Sequence, residues 1–384
     1  MRALGRLLDL CAPTGALFWA YAVWAYRGTY RPRFLEDVPI PEGPLPPLRV
    51  VVPARNEEAR VARTIRSLLA QRYPDLRVVA VDDRSTDRTA QILERLRPED
   101  PRLEVVPITG LPPGWLGKPH ALHAGVQGAT EAWVLFTDGD VVFGPDVLAR
   151  AVGAAEREGL DHLAVFPHLE LRGIGERAVV AVFGLLFGVR QELGGVADPR
   201  SRGHVGIGAF NLVRRTALEA IGGVERLRLS VVDDVELGRL IKAAGLRQGF
   251  LFSRGSVRVR WQEGVWGFVE GLEKNAFAAA HFRAGRALLL ALGLVAAHSM
   301  APLAIFSPRS LARACAAWVW ACLAVAYATL RGLVGGPWWL VFLHPVASLA
   351  LPLALLRSAW RALRRGGIEW RGTFYPLAWF RGIL

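Results

Sequence analysis

The sequence predicts an α/β domain with a mostly parallel sheet, carried between apolar helices at both ends of the chain. Three observations predict it. Between about residues 48 and 280, short apolar β-type runs alternate with helical patterns, as in a parallel sheet covered by helices. Apolar stretches of about 20 residues, each long enough to cross a bilayer, lie after residue 285, and a shorter one precedes Arg27. The 384-residue chain is also 52% hydrophobic with mean hydropathy +0.27, an apolar surplus that a purely soluble protein does not carry.

The elements follow in order. Residues 10–26, "LCAPTGALFWAYAVWAY", are uncharged and precede Arg27, Arg31 and Arg33. They lack a small-residue cleavage site, which favours a retained anchor over a signal peptide. Residues 1–31 are therefore expected to form an N-terminal membrane anchor, with the arginines on the cytoplasmic side. Residues 32–47, rich in proline, read as a semi-rigid linker. The α/β domain is expected over 48–285, with strands at 48–53, 77–81, 103–106, 133–137 and 162–166. Helix patterns include 58–70 and 87–96, the latter opening on Asp87 as an N-cap.

Membrane helices are expected over 286–356, from the apolar stretches 287–306, 311–331 and 337–356. The tail 357–384 carries Arg357, Arg361, Arg364 and Arg365 and reads as cytoplasmic. Parity then requires that one apolar segment not span. Residues 287–306, with His298, Ser299 and Pro302 and with arginines on both flanks, read as a re-entrant or interfacial helix pair.

The formal charge is +13, and only Lys118, Lys242 and Lys274 among the 47 basic residues are lysines. The arginines are scattered or flank apolar runs, so nucleic acid is not an expected partner. Membrane flanks and a phosphorylated substrate account for them better. Cys11, Cys315 and Cys322 lie in apolar segments and read as packing residues, with neither metal-ligand spacing nor a disulfide framework.

Parallel sheets bind ligands beyond the carboxyl ends of their strands, and the acids cluster there. "VVPARNEE" (51–58) ends a strand at Pro53 and offers Arg55 and Glu57 at a helix start. Glu57 suits ribose hydroxyls better than phosphate, although acids also serve as first-turn residues. "VAVDDRSTDRT" (79–89) ends the second strand on Asp82 and Asp83. Either carboxylate can accept a base N–H or a ribose hydroxyl, and capping explains Asp87 but not this pair. "GWLGKPHALHAG" (114–125) sets Lys118 in a glycine loop, suited to a pyrophosphate.

"LFTDGDVVF" (135–143) puts Asp138 and Asp140 at the tip of an apolar run. A carboxylate pair is costly there unless neutralised. Mg²⁺ or Mn²⁺, bridging one or two carboxylates to substrate phosphates, supplies the neutralisation. "VVDDVELGRLIKAAG" (231–245) sets Asp233 and Asp234 before a helix whose apolar face carries Leu237, Leu240 and Ile241. Capping accounts for one acid of the pair. A general base that deprotonates an attacking hydroxyl accounts for Asp234.

Taken in order, these stretches resemble the family-2 glycosyltransferases with the GT-A fold, over about 48–280. The family pattern runs P-x-x-N-E, V-D-D-x-S-x-D-x-T, G-K-x-x-A-L-x-x-G, D-x-D, then an acid pair before x-x-L-x-x-R-L. The resemblance implies a nucleotide-sugar donor, expected as a UDP-sugar, with Glu57 and Asp83 holding the nucleoside and Asp82 nearby. It implies that Lys118 approaches the nucleotide, that Asp138 and Asp140 bind the divalent metal, with Asp140 the direct ligand, and that Asp234 is the base. Asp233 stands where glutamate is more usual. Such enzymes invert at the anomeric carbon.

Within the family, "LPPGWLGKPHAL" (111–122), "EKNAFAAAHFR" (273–283) and "IEWRGTFYP" (368–376) resemble membrane-bound bacterial transferases associated with hopanoid or carotenoid lipids. Processive members carry Q-x-x-R-W. Here Arg260 and Trp261 are present, but Val257 replaces the glutamine, which points to a single transfer. Arg260 and Trp261 remain candidates for stacking on a sugar or closing over diphosphate; otherwise they are a strand-end arginine and a packed tryptophan.

The expected function is inverting, metal-dependent sugar transfer to a lipid hydroxyl by a multi-pass protein of the cell membrane with a cytoplasmic catalytic domain. The alternative acceptor is polyprenyl phosphate, with the arginines of 194–204 serving its phosphate. A transporter is disfavoured because 287–306 and 338–356 contain no Asp, Glu, Lys or Arg. A non-catalytic nucleotide-binding module is disfavoured by two intact acid pairs.

Overall fold

The computed structural model describes residues 2–27 and 31–381. Parts of the expected anchor (1 and 28–30) and tail (382–384) lie outside the described residues. The chain divides into two compact units. One comprises Pro32–Glu170 and Gly195–Arg260; the other comprises Met1–Arg31, Leu171–Gly194 and Trp261–Leu384.

The first unit is built on a seven-stranded sheet. Its strands are β1 (Leu48–Ala54), β2 (Leu76–Asp83), β3 (Leu103–Ile108), β4 (Trp133–Phe136), β6 (His162–Phe166), β8 (Asn211–Arg214) and β9 (Gln248–Phe252). Their order is β3-β2-β1-β4-β8-β6-β9. Only β8 runs against its neighbours β4 and β6. A small sheet pairs β5 (Val142–Phe143), β10 (Val257–Val259) and β7 (His168–Leu169).

All five expected strands form. They are valine-rich, and β1 and β4 are buried along nearly their whole length, as strands covered on both faces must be. β8 and β9 were not anticipated. Pro53 is tolerated in a central strand because the β1–β4 ladder stops at Val51 opposite Phe136, leaving no bond for the missing N–H to make on that side.

The helices Val61–Leu69 and Thr89–Leu96 start later than the sequence patterns suggest. Asp87 is not the N-cap. It lies outside the helix and accepts the N–H groups of Thr89 (2.9 Å) and Glu58 (3.1 Å), an Asx-type bond two residues ahead. Leu237, Leu240 and Ile241 of the helix Asp233–Ala243 are buried against Val51, Val79, Val134 and Phe136. The stretch 32–47 is largely coil, but its start is docked: Leu35 is buried and Phe34 bridges Phe252.

The second unit is helical. Among the described residues, four helices are long and apolar enough to cross a membrane by length and composition: Gly5–Ala25, Ala284–Phe306, Ser310–Arg331 and Trp338–Arg365. The segment expected as a re-entrant pair forms one 23-residue helical run, with a π-turn at Val295–Met300. The apolar helix Ile174–Arg190 also belongs to this unit, packing Ala181 and Leu185 beside Trp19, Val319 and Leu323. Sequence reading counted it with the sheet. The unit closes with the hairpin β11 (Gly367–Trp370) and β12 (Thr373–Pro376).

Candidate active site

The acids expected to act converge on the carboxyl ends of β1, β2 and β4 and on the start of the Asp233–Ala243 helix. The β1 side is braced by reciprocal bonds between two loops. Asn56, in the left-handed region at φ 53°, donates its N–H to Ser85 (3.1 Å) and accepts the Thr86 N–H (2.8 Å). Glu57 is buried and donates its N–H to Thr89 Oγ1 at 2.8 Å. Arg84 holds both oxygens of Asp83, at 2.7 and 3.1 Å, and Arg55 lies 3.7 Å away. Asp82 is buried too, and its Oδ1 has no partner within the protein. An acceptor left over in this way suits a ligand N–H or O–H.

Lys118 lies in the first turn of the helix Gly117–Val126. Its Nζ is 2.7 Å from Asp138 and 3.5 Å from Asp233. Burial would lower its pKa, but Asp138, Asp233 and Asp234 outweigh burial and raise it above the usual lysine range. The ammonium therefore stays charged and joins the two acid pairs. His120 and His123, three residues apart, pack their rings around Trp115.

The Asp138–Asp140 turn is held from both sides. Thr64 donates to the Gly139 carbonyl (3.0 Å), and Thr137 donates to the Ala209 carbonyl (2.7 Å). Asp140 faces Arg60 at 3.8 Å. The Asp138 and Asp140 side chains keep 40% and 20% exposure, so an ion can reach them. Among the described residues, no group of three or more His, Cys, Asp or Glu is arranged to hold a metal. Two hard oxygen donors fit Mg²⁺ or Mn²⁺ only when substrate phosphates complete the shell.

Asp233 and Asp234 open their helix, where carboxylates are favoured. Capping does not explain Asp234. Its Oδ2 accepts the Gly208 N–H at 2.8 Å, and its main-chain carbonyl accepts Asn211 Nδ2 at 3.2 Å. Asn211 is bonded in turn to His162 Nε2 at 2.6 Å. Burial pushes His162 down to about 4, against the bond to Asn211, so its imidazole is neutral at pH 7.

Lys118, Asp138, Asp233 and Asp234 thus form one charged cluster around Gly208. Pro53, Arg55, Glu57, Asp82 and Asp83 line the neighbouring strand tips. Arg260 donates to the Glu170 carbonyl. Trp261, in the helical unit, packs among the rings of Phe183 and Phe268. Sequence reading missed Arg60, Thr64, His162, Gly208 and Asn211. The one visible hint was "GIGAFN" (206–211), a glycine pair and a polar residue at the start of a strand.

Comparison with known proteins bears on the family and the fold. Residues 49–222 match the model of glycosyl transferase family 2. The match includes Asp138 and Asp140 but ends before Asp233. The 4,4'-diaponeurosporenoate glycosyltransferases of Staphylococcus aureus strains USA300 and NCTC 8325 are 25% identical over 234 residues. The alignment covers 59% of this chain, and the chain spans about 60% of the length of these relatives. A mannosyltransferase from Pyrobaculum calidifontis, solved with GDP-Man and Mn²⁺, shares the fold. Its TM-score is 0.55 at 20% identity, covering 94% of this chain and 98% of the other.

Proposed function

We propose that the chain, whose residues 49–222 match the model of glycosyl transferase family 2, moves a sugar from a nucleotide-sugar donor to a lipid hydroxyl with inversion. Asp234 is the base: its carboxylate takes the hydroxyl proton as that oxygen attacks the anomeric carbon and the C–O bond to the nucleoside diphosphate breaks. The observation that carries this is the carboxylate fixed by the Gly208 N–H at 2.8 Å, beside the Lys118–Asp138 pair. Glu57, Asp82 and Asp83 bind the nucleoside, with Arg55 and Arg84 on Asp83. Asp138 and Asp140 would hold a divalent metal, which when bound neutralises charge on the leaving diphosphate. Lys118 orients Asp138 and Asp233 against each other.

A lipid acceptor is supported by the four candidate membrane helices and by the relatives named as 4,4'-diaponeurosporenoate glycosyltransferases. Arg357, Arg361, Arg364 and Arg365 after the last apolar run support a cytoplasmic catalytic side. Arg200 and Arg202 in the 195–208 segment favour, as a second reading, a phosphate-bearing polyprenyl acceptor, which needs no base.

The test is radiolabel transfer by the full chain in detergent, offering UDP-glucose, GDP-mannose and other nucleotide sugars with total lipid, with Mn²⁺, Mg²⁺ or chelator. Label enters the organic phase only with metal, and Asp234→Asn lowers the rate by about 10²–10⁴-fold. Full transfer by Asp234→Asn would favour the phosphate acceptor. No lipid label with any donor, despite nucleotide binding, would refute a lipid acceptor.

A further inference from the structure

The helix that carries Asp234 also presents Gly238 and Lys242, at four-residue intervals on one face. Each of the three meets the segment 195–208. Lys242, only 7% exposed, donates its ammonium to the carbonyls of Gly195 (3.3 Å), Val196 (2.7 Å) and Asp198 (2.6 Å). Burial pushes its pKa down from the usual lysine range, so this position is costly unless those carbonyls repay it.

At Gly238 the backbones touch. A Cβ there would fall 1.8 Å from the Val205 carbonyl oxygen, and a Cβ on Gly206 would fall 1.7 Å from that of Asp234. Gln248 of β9 donates to the Gly238 carbonyl at 2.5 Å, a further tie on this helix. The third contact is the Gly208 N–H on the Asp234 carboxylate.

We propose that Lys242 and Gly238 are positioning residues that clip 195–208 onto this helix, so that Gly208 fixes the Asp234 carboxylate for proton removal. The catalytic half of this inference rests on Asp234 as the base; the clip itself does not. The nucleoside-binding loops at β1 and β2 hold themselves together through separate bonds, between Asn56, Ser85 and Thr86. Releasing the clip therefore misplaces the base and leaves donor binding intact. A displacement of about 1 Å at a reacting group is enough to cost about 10²-fold in rate.

The experiment uses full-length protein in detergent, comparing wild type with Lys242→Met and Gly238→Ala. Hydrogen exchange reads the peptides spanning 195–208, and steady-state kinetics read kcat and donor KM. We expect faster exchange confined to 195–208, kcat lower by about 10–100-fold, and donor KM within about twofold. If Lys242→Met does not fold, Gly238→Ala carries the same comparison. Unchanged exchange in 195–208 would overturn the clip. Faster exchange across the whole sheet unit, or a rise in donor KM matching the fall in kcat, would overturn it as well. Full activity in Asp234→Asn would remove the base and the catalytic half with it, while the exchange result would still decide the clip.

Discussion

Two polar clusters, one in each unit, are buried in opposite ways. In the sheet unit, Asp138, Asp233 and Asp234 gather around one ammonium, Lys118. In the helical unit, the buried cluster pairs imidazole with imidazole and hydroxyl with hydroxyl. His298 meets His344 at 3.1 Å, Tyr327 meets His344 at 3.1 Å, and Ser299 meets Ser348 at 2.8 Å. No carboxylate takes part in these bonds. Charges are affordable at strand tips, where water, metal and substrate phosphate can compensate them. Inside a helix bundle read as membrane-embedded, uncharged partners cost far less. On the proposed function, the charged cluster serves chemistry and the neutral one helix packing.

Lys118→Met breaks this contrast most directly. It leaves buried Asp233 and half-exposed Asp138 without their cation. Removing one partner of a buried pair costs about 3 kcal/mol, which chemical denaturation of the sheet unit would register. Transfer should fall by about a hundredfold, because Asp138 and Asp233 lose their mutual orientation. Lys118→Arg keeps the charge and should recover most of the stability. A neutral variant as stable as wild type would show that the acids are compensated by other groups.

His162 sharpens the comparison, since it is a neutral imidazole placed beside the charged cluster. Its folded pKa is about 4, below the value of about 6.5 in an unfolded chain. The unfolded state therefore binds more protons between these values, and stability is lost as pH falls from about 6.5 to about 4. The loss approaches about 3 kcal/mol. His162→Gln should flatten that stretch of the stability–pH curve while keeping a donor for Asn211. A curve of unchanged slope in the variant would remove His162 as its source.

Legibility followed the same division. Pro53, Glu57, Asp82, Asp83, Lys118, Asp138, Asp140, Asp233 and Asp234 could be read in sequence because each lies where a strand ends or a helix begins. Their supports could not. Gly208 reaches Asp234 across 26 residues, and Thr64 reaches Gly139 across 75. Nothing local marks a glycine N–H or a threonine hydroxyl as a partner for a distant loop. β8 was missed because its four residues show neither a long apolar run nor clear alternation. The Ile174–Arg190 helix was missed because its apolar, small-residue composition also suits a helix packed on a sheet.

The smallest effect tests the neutral side. If the helical cluster only packs helices, His298 and His344 should couple weakly and without consequence for chemistry. The double-mutant cycle His298→Ala, His344→Ala, read by unfolding in detergent micelles, should give about 0.6–1.7 kcal/mol. Each single variant also leaves a neighbour wanting, since His344 is bonded to Tyr327 as well as to His298. The cycle subtracts that shared loss and isolates the imidazole pair. Transfer by the micelle-bound variants should stay within about threefold of wild type. A hundredfold loss of transfer at preserved stability would give these imidazoles a part in the reaction and erase the distinction between the two clusters.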